Sequence, residues 1–120
     1  LLAPTTPTAR AKKIIHEAQK SANKNLNIPT FLYLVSVTGV TGGRKNVSPE
    51  THEFIKRVRR ITKIPLMVGF GISSATHVRA VTNAGADGVV TCSKIVDTAH
   101  RNKQPFKKIS RYIRSLRIAK

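Results

Sequence analysis

Glycine and hydroxyl residues follow three of the apolar runs in this 120-residue sequence. They form the segments 38–44 (TGVTGGR), 69–73 (GFGIS) and 91–94 (TCSK). Glycine lets a backbone N–H approach an anion closely, and a helix N-terminus adds unpaired N–H donors and a favourable dipole. For a single glycine a tight turn is the commoner use. Three such loops in succession favour a phosphate site.

Two aromatic residues lie close to these loops. Phe70 stands between two glycines, and Tyr33 lies within an apolar run. Either ring suits the wall of a pocket for a flat aromatic ligand, whereas packing under a loop or in the core is the alternative. The segment 41–46 is rich in glycine and polar residues, which is typical of a mobile lid.

Residues for acid–base or metal chemistry do not cluster in the sequence. Of the five acids, only Asp87 belongs to one of the strand-like runs, and it opens that run at its N-terminal end. The four histidines lie on separate helical patterns without metal-ligand spacing, so we expect them at the surface and expect no metal site. The single cysteine, Cys92, excludes an internal disulfide and fits a reducing compartment.

Short apolar runs alternate with amphipathic helical patterns along the chain. The runs 1–3, 31–37, 65–70 and 87–91 are continuous rather than alternating, which is typical of parallel strands covered by helices. Helices are predicted over 8–22, after the Ser48-Pro49-Glu50 start signal, over 74–84 after a Ser73 or Ser74 cap, and after Pro105. This order predicts an α/β fold with parallel pairing. The length suits one small domain, or half of a (β/α)8 barrel of about 250 residues.

The formal charge of +17 comes from 22 basic and five acidic residues. It suggests phosphates, nucleic acid or an acidic partner, although solvated basic helix faces or the loss of an acidic half are the favoured explanation. The segment 99–120 carries eight Lys or Arg residues and no acid. No apolar stretch reaches the ~18 residues of a membrane helix, and no signal peptide precedes the first run. We therefore expect a soluble, cytoplasmic protein.

Five motifs, in this order and spacing, resemble the tryptophan synthase α subunit family. They are LAPTTP at 2–7, YLVS at 33–36, GVTG at 39–42, VGFGIS at 68–73 and ADGVV at 86–90. The resemblance implies that the chain is the C-terminal half of a (β/α)8 TIM barrel, with strands five to eight and their helices. It would be one partial domain, with βα units in 1–98 and a basic C-terminal helix in 99–120.

The resemblance also implies an activity. Members of this family cleave indole-3-glycerol phosphate into indole and glyceraldehyde 3-phosphate by a retro-aldol reaction without a cofactor. Indole then passes to a tryptophan synthase β subunit that carries pyridoxal phosphate, within an α2β2 complex. The family's two catalytic carboxylates belong to its second barrel unit, which this sequence does not contain. We therefore expect the chain to bind substrate, to lack catalytic acids and to be inactive alone.

Site residues follow from the same motifs. Thr41 resembles the lid threonine that orders a catalytic aspartate, and Cys92 replaces a glycine that the family usually has beside Ser93. The implied phosphate ligands are Gly42, Gly69, Gly71, Cys92 and Ser93, and the implied indole contacts are Phe70, Tyr33 and Leu2. Two other functions stay open: a different sugar-phosphate barrel enzyme, or a basic nucleic-acid-binding module whose affinity falls steeply with salt.

Overall fold

A computed structural model of the chain describes residues 1–23, 30–35, 47–69 and 71–117. Three strands and five helices lie within this part of the chain. In chain order they are α1 (Thr8–Asn23), β1 (Leu32–Val35), α2 (Pro49–Arg59), β2 (Leu66–Gly69), α3 (Ala75–Asn83), β3 (Gly88–Val90), α4 (Ser93–His100) and α5 (Pro105–Ser115). None of the five described helices combines the length and apolar character that crossing a bilayer requires.

Two helices begin at the serine caps that the sequence predicts. The Ser48 side chain accepts a hydrogen bond from the Thr51 amide at 3.3 Å, and Pro49 occupies the first turn of α2. Of the two serines predicted as the N-cap of α3, Ser74 is the cap, and its hydroxyl accepts a hydrogen bond from the His77 amide at 3.3 Å. Each cap satisfies an amide that the helix itself cannot pair, and so determines where the helix starts.

The three strands form one parallel sheet in the order β1-β2-β3. The register places Leu34 beside Val68 and Val68 beside Val89. The first apolar run contributes a single parallel bridge, Leu2 to Leu34, instead of a strand. The predicted parallel α/β arrangement is thus confirmed, with the 1–3 segment on the outer side of β1.

One face of this sheet packs against helices, and the other face is only half covered. Leu32 and Leu34 are 2% and 1% exposed, whereas Tyr33 and Val35, which point the opposite way, are half-buried. Leu32 and Leu34 belong to a buried core that also contains residues of the helices and the residue that follows α5. These are Ala11, Ile15, Phe54, Ile55, Val58, Val78, Val81 and Leu116. A parallel sheet with helices on its outer face and a partly open inner face is an α/β half-barrel.

A network around Arg59 holds the sheet end opposite the predicted loops. The guanidinium donates to the carbonyl oxygens of Thr62 and Ile64, and Nη1 lies 2.9 Å from Asp87 Oδ2. The same carboxylate oxygen accepts from the Leu66 amide at 2.8 Å. Asp87 therefore connects the starts of β2 and β3 to the end of α2, which is a stabilising role.

The last helical stretch differs from the sequence pattern in two ways. Two helices, α4 and α5, follow β3, whereas the sequence pattern predicts one helix there, after Pro105. No residue of α5 itself is buried: Phe106 is 85% and Ile113 is 45% exposed, and only Leu116, the cap residue that follows the helix, is buried. Tyr112 and Leu116 share the side of α5 that meets the body, and Phe106 and Ile113 lie on the flank of that side.

Candidate anion and substrate site

The carboxyl ends of the three strands meet in one row. Val35, Gly69 and Val90 are the last residues of β1, β2 and β3, and they are neighbours in the register. Residues that follow these positions therefore leave the sheet at the same edge. In parallel α/β proteins this edge is where ligands bind.

Hydrogen bonds join the loop after β2 to the loop after β3. Thr91 Oγ1 donates to the Ile72 carbonyl at 2.9 Å. The Tyr112 hydroxyl of α5 lies 2.8 Å from Thr91 Oγ1 and 3.5 Å from the same carbonyl. Two of the three predicted loops, 69–73 and 91–94, are thus in direct contact.

Gly71 has both the conformation and the space that close approach of an anion requires. Its φ of +68° lies in the left-handed region, where a side chain is strained. Among the described residues other than its chain neighbours, no heavy atom lies within 4 Å of the place where a β-carbon would stand. Gly71 is also exposed. The loop after β2 therefore presents backbone to open space.

The first turn of α4 offers two backbone donors. The amides of Ile95 and Val96 both donate to the Cys92 carbonyl, at 2.9 and 3.0 Å. Within the described part of the chain, the amides of Ser93 and Lys94 have no acceptor. Unpaired amides at a helix N-terminus attract anions because the helix dipole places positive charge there.

Cys92 is exposed and lies at the N-cap of α4. Its φ of −119° and ψ of −56° are open to any amino acid, and its side chain makes no capping hydrogen bond. The backbone at this position therefore does not depend on the glycine that the resemblance leads one to expect.

The Tyr33 side chain lies over Gly69. Its hydroxyl and Cζ occupy the place that a β-carbon on residue 69 would take. The absence of a side chain at Gly69 thus makes room for the phenol, which reaches along the inner face towards the strand ends. The space directly above Gly69 is filled by this ring.

Leu2 is placed away from Tyr33. It is fully buried, pairs with Leu34, and donates its amide to the Tyr33 carbonyl at 2.8 Å. Paired residues of parallel strands point to the same face, so the Leu2 side chain lies in the core beneath the helices. The structure therefore brings Leu2 and Tyr33 together through their backbones but puts their side chains on opposite faces. The predicted site residues Thr41, Gly42 and Phe70 lie outside the described residues.

His77 is buried, so the expectation that all four histidines lie at the surface is wrong for this residue. It is 3% exposed, and its Nδ1 lies 3.1 Å from the Gly71 carbonyl and 3.4 Å from the Ser73 amide nitrogen. One ring nitrogen either donates or accepts, so these two contacts alternate with the tautomer. The signal in the sequence is its place three residues after Ser74, from which a side chain folds back over the cap.

The chain's carboxylates lie away from the strand ends. Four of them are on helices and the fifth, Asp87, precedes β3 at the opposite end of the sheet. Asp97 on α4 pairs with Arg101 at 2.5 Å. Within 1–23, 30–35, 47–69 and 71–117, no three potential metal ligands come together.

A separate cleft of about 280 Å³ lies between the start of α2 and the segment after the first apolar run. It is lined by Pro4, Glu50, Glu53, Phe54 and Arg57. The Arg57 guanidinium donates to the Pro4 carbonyl at 2.8 Å and stands 5.4 Å from the centre of the Phe54 ring. Two glutamates on its wall disfavour an anionic ligand, so this cleft does not compete for phosphate.

The chain consists of parallel βα units, and backbone amide donors lie at the carboxyl end of its sheet. This arrangement is that of barrel-type α/β proteins. The family model described as "Tryptophan synthase alpha chain" matches residues 1–118, and the chain belongs to that family. The tryptophan synthase alpha chain of Methanocaldococcus jannaschii is 45% identical over 102 residues, which are 85% of this chain and 32% of that protein. That of Microcystis aeruginosa is 39% identical over 121 residues, 99% of this chain and 42% of that protein.

Solved structures agree in fold. The tryptophan synthase α2β2 complex of Pyrococcus furiosus contains a chain with a TM-score of 0.77 at 29% identity, and the match covers 96% of this chain and 43% of that one. A structure of the tryptophan synthase α subunit from the same organism gives a TM-score of 0.74 at 28% identity, and covers 96% of this chain and 42% of that one. The chain thus spans about a third to two fifths of the length of these relatives.

Proposed function

We propose that the chain is the part of a tryptophan synthase α subunit that binds the phosphate and the indole of indole-3-glycerol phosphate. The whole enzyme would cleave this substrate by retro-aldol reaction into indole and glyceraldehyde 3-phosphate. The observation that carries the proposal is the contact between the loops after β2 and β3. It brings the exposed backbone of Gly71 close to the segment that leads into α4 and its unpaired amides.

The phosphate would bind between these two loops. Amides of Gly71, Ser73, Ser93 and Lys94 are the described donors, and the Ser93 hydroxyl adds one more. The proposal includes Gly42 from the loop after β1 and assigns Cys92 only its backbone. Gly69 acts through the turn that it starts, since the phenol of Tyr33 covers it. The net charge of +17 raises the local concentration of an anionic substrate.

The indole would lie beside Tyr33 on the inner face of the sheet. This ring reaches the strand ends, and Phe70 follows Gly69 directly in the sequence. An aromatic wall next to a group of polar donors is the usual composition of a small-molecule site. Leu2 contributes by pairing with β1 from the outer side, and not by touching the ligand.

Proton transfer would come from carboxylates that this sequence does not contain. Cleavage of a carbon–carbon bond in this substrate requires a general base and a general acid at the reacting atoms. The five acids of the chain are on helices or at the far end of the sheet. We therefore propose binding without chemistry for the isolated chain, and Thr41 as support for a catalytic aspartate in the whole enzyme.

The partner would be a tryptophan synthase β subunit, to which pyridoxal phosphate belongs, whereas the α reaction needs no cofactor. The match to a chain of an α2β2 complex supports this assembly. We place the activity in the cytoplasm, since the one thiol, Cys92, is exposed and suits a reducing compartment.

Calorimetric titration tests the proposal against the nucleic-acid alternative, which the exposed cations of α5 favour. The chain is titrated with indole-3-glycerol phosphate and with duplex DNA, each at low and at high salt. We expect saturable binding of the substrate with a modest salt effect. DNA binding that is tighter than substrate binding and falls steeply with salt would favour the alternative.

Two variants make this titration specific. Ser93→Ala removes a proposed phosphate donor, and Ser110→Ala removes an exposed hydroxyl from α5 as a matched control. Only the first should weaken substrate binding, by about ten- to a hundredfold for one hydrogen bond to a charged group. A lyase assay on the isolated chain should show no turnover, and near-normal turnover would refute the missing-carboxylate argument.

A further inference from the structure

We propose that Tyr112 is a positioning residue that orients the Ser73 amide for phosphate, acting from α5 through Thr91. The inference rests on the proposed function and extends it to a helix that no motif of the site includes. Tyr112 is 40 residues away in sequence from Ile72, the residue whose carbonyl it helps to hold.

The hydroxyl groups of Tyr112 and Thr91 form a relay that ends on the Ile72 carbonyl. Thr91 uses its one hydroxyl hydrogen on that carbonyl, at 2.9 Å. Tyr112 then donates its own hydrogen to Thr91 Oγ1, at 2.8 Å. Every hydroxyl hydrogen of the relay is used, and the buried carbonyl of Ile72 is satisfied.

The direction of the Ser73 amide follows from this carbonyl. The C=O of Ile72 and the N–H of Ser73 belong to one planar peptide unit and point in opposite directions. Holding the oxygen against β3 and α5 therefore aims the N–H away from them. This unit can turn only about the backbone bonds of Ile72 and Ser73 on either side of it, so a restraint on its oxygen also fixes the direction of its N–H.

The opposite end of this peptide is held loosely. The Ser73 amide lies 3.4 Å from His77 Nδ1, which is longer than an ordinary N–H hydrogen bond. An anion that arrives at the loop competes with a weak contact, whereas the carbonyl side keeps its short bonds. The N–H of Ser73 is thus directed at His77 Nδ1, and a phosphate that binds there would take the place of this weak acceptor.

The relay also positions the second half of the proposed site. Thr91 directly precedes Cys92 and Ser93, where α4 begins. Tyr112 packs in turn against the core, to which Leu116, 8% exposed and one helical turn later, belongs. A displacement of α5 would therefore move both loops, and the phosphate would lose donors from two segments together.

The test uses conservative variants at both ends of the relay. Tyr112→Phe keeps the ring, Thr91→Val keeps the shape, and Thr91→Ser restores a hydroxyl. Ser115→Ala is the control, because it removes a hydroxyl bonded at 2.7 Å to the Tyr112 carbonyl without touching the relay. Two quantities are measured for each chain: the hydrogen-exchange rate of the Ser73 amide without ligand, and the dissociation constant of inorganic phosphate.

We expect Tyr112→Phe and Thr91→Val each to accelerate exchange at Ser73 and to weaken phosphate binding about three- to tenfold. The double variant should be little worse than either single one, since both break the same relay. Thr91→Ser and Ser115→Ala should resemble the original chain. A folded Tyr112→Phe chain with unchanged Ser73 exchange overturns the relay, whatever the ligand does. Altered exchange in a chain that never binds phosphate instead overturns the proposed function and leaves the relay as a structural device.

Discussion

The hydroxyl of Tyr33 fills the place that a β-carbon on Gly69 would occupy. Residue 69 is therefore a glycine for a packing reason. The two residues lie on neighbouring strands, with Gly69 two positions beyond Met67, the register partner of Tyr33. This diagonal contact directs the phenol towards the carboxyl end of the sheet, where the ligand is proposed to bind.

Gly69→Ala should displace the phenol and weaken binding of an indole ligand. The added methyl group meets the end of a rigid ring, so Tyr33 must change rotamer, and we expect a loss of stability of about 1–3 kcal/mol. Gly88→Ala is the matched control on the same face, because its methyl meets only the flexible end of Met67. Urea unfolding and titration with indole-3-glycerol phosphate measure both effects. Equal effects of the two substitutions would argue against a specific role for the Tyr33 contact.

Gly71→Ala should destabilise the chain through its backbone alone. The φ of +68° costs an ordinary L-residue about 1–2 kcal/mol, while no atom in the described part of the chain obstructs the methyl group. Gly71→Asn should cost less, since asparagine tolerates this region better. Comparison of the two free energies of unfolding checks the prediction. An alanine variant as stable as the original chain would show that the loop adopts another conformation.

Cys92→Gly should leave stability slightly lower and phosphate binding equal or tighter. The present φ and ψ do not require glycine, so the change adds freedom at the start of α4 and removes an exposed thiol. Cys92→Ala, which keeps the β-carbon, separates the two contributions. Phosphate titrations of the three chains provide the measurement. Substantially weaker binding by the glycine variant would indicate that the sulfur contributes to the site.

Arg59→Met should lower the free energy of unfolding by about 2 kcal/mol, because it leaves two carbonyls and the Asp87 carboxylate without their charged donor. Arg59→Lys should retain part of this free energy because it keeps the positive charge. It should not retain all of it, since an ammonium cannot donate along all these directions at once. Phosphate affinity, measured on the folded fraction, should stay unchanged, as the network lies at the other end of the sheet. A parallel loss of affinity would show that the two ends are coupled.

The sequence predicts helices and strands well where a local signal marks them. It predicts the burial of side chains less well where contacts between distant segments determine it. Ser48 and Ser74 cap helices as their spacing indicates. The partly open inner face of the sheet could be predicted from the number of βα units, since four such units do not close a (β/α)8 barrel. By contrast, burial of His77 depends on where the loop before α3 returns, and the exposure of Phe106 depends on which flank of α5 meets the body. Hydrophobic periodicity encodes neither feature, although the spacing of His77 from Ser74 is a local signal for the first.

Some features of the candidate site could likewise be predicted from the sequence, and others could not. The positions of glycines and of helix starts predicted which loops form the site, because anion binding by backbone amides requires residue types that can be recognised in a sequence. The contact of Thr91 with Tyr112 joins residues 21 apart, and no motif of the sequence contains both. The opposite orientation of Leu2 and Tyr33 likewise follows from strand register and not from the residues themselves.

The most direct test of the account is to follow the backbone amides of the isotope-labelled chain while inorganic phosphate is added. We expect the largest, saturable shifts at Gly71, Ser73, Ser93 and Lys94, and we expect them to persist at high salt. Shifts that are spread instead over the basic residues of α5, and that disappear as salt rises, would contradict phosphate binding at the strand ends.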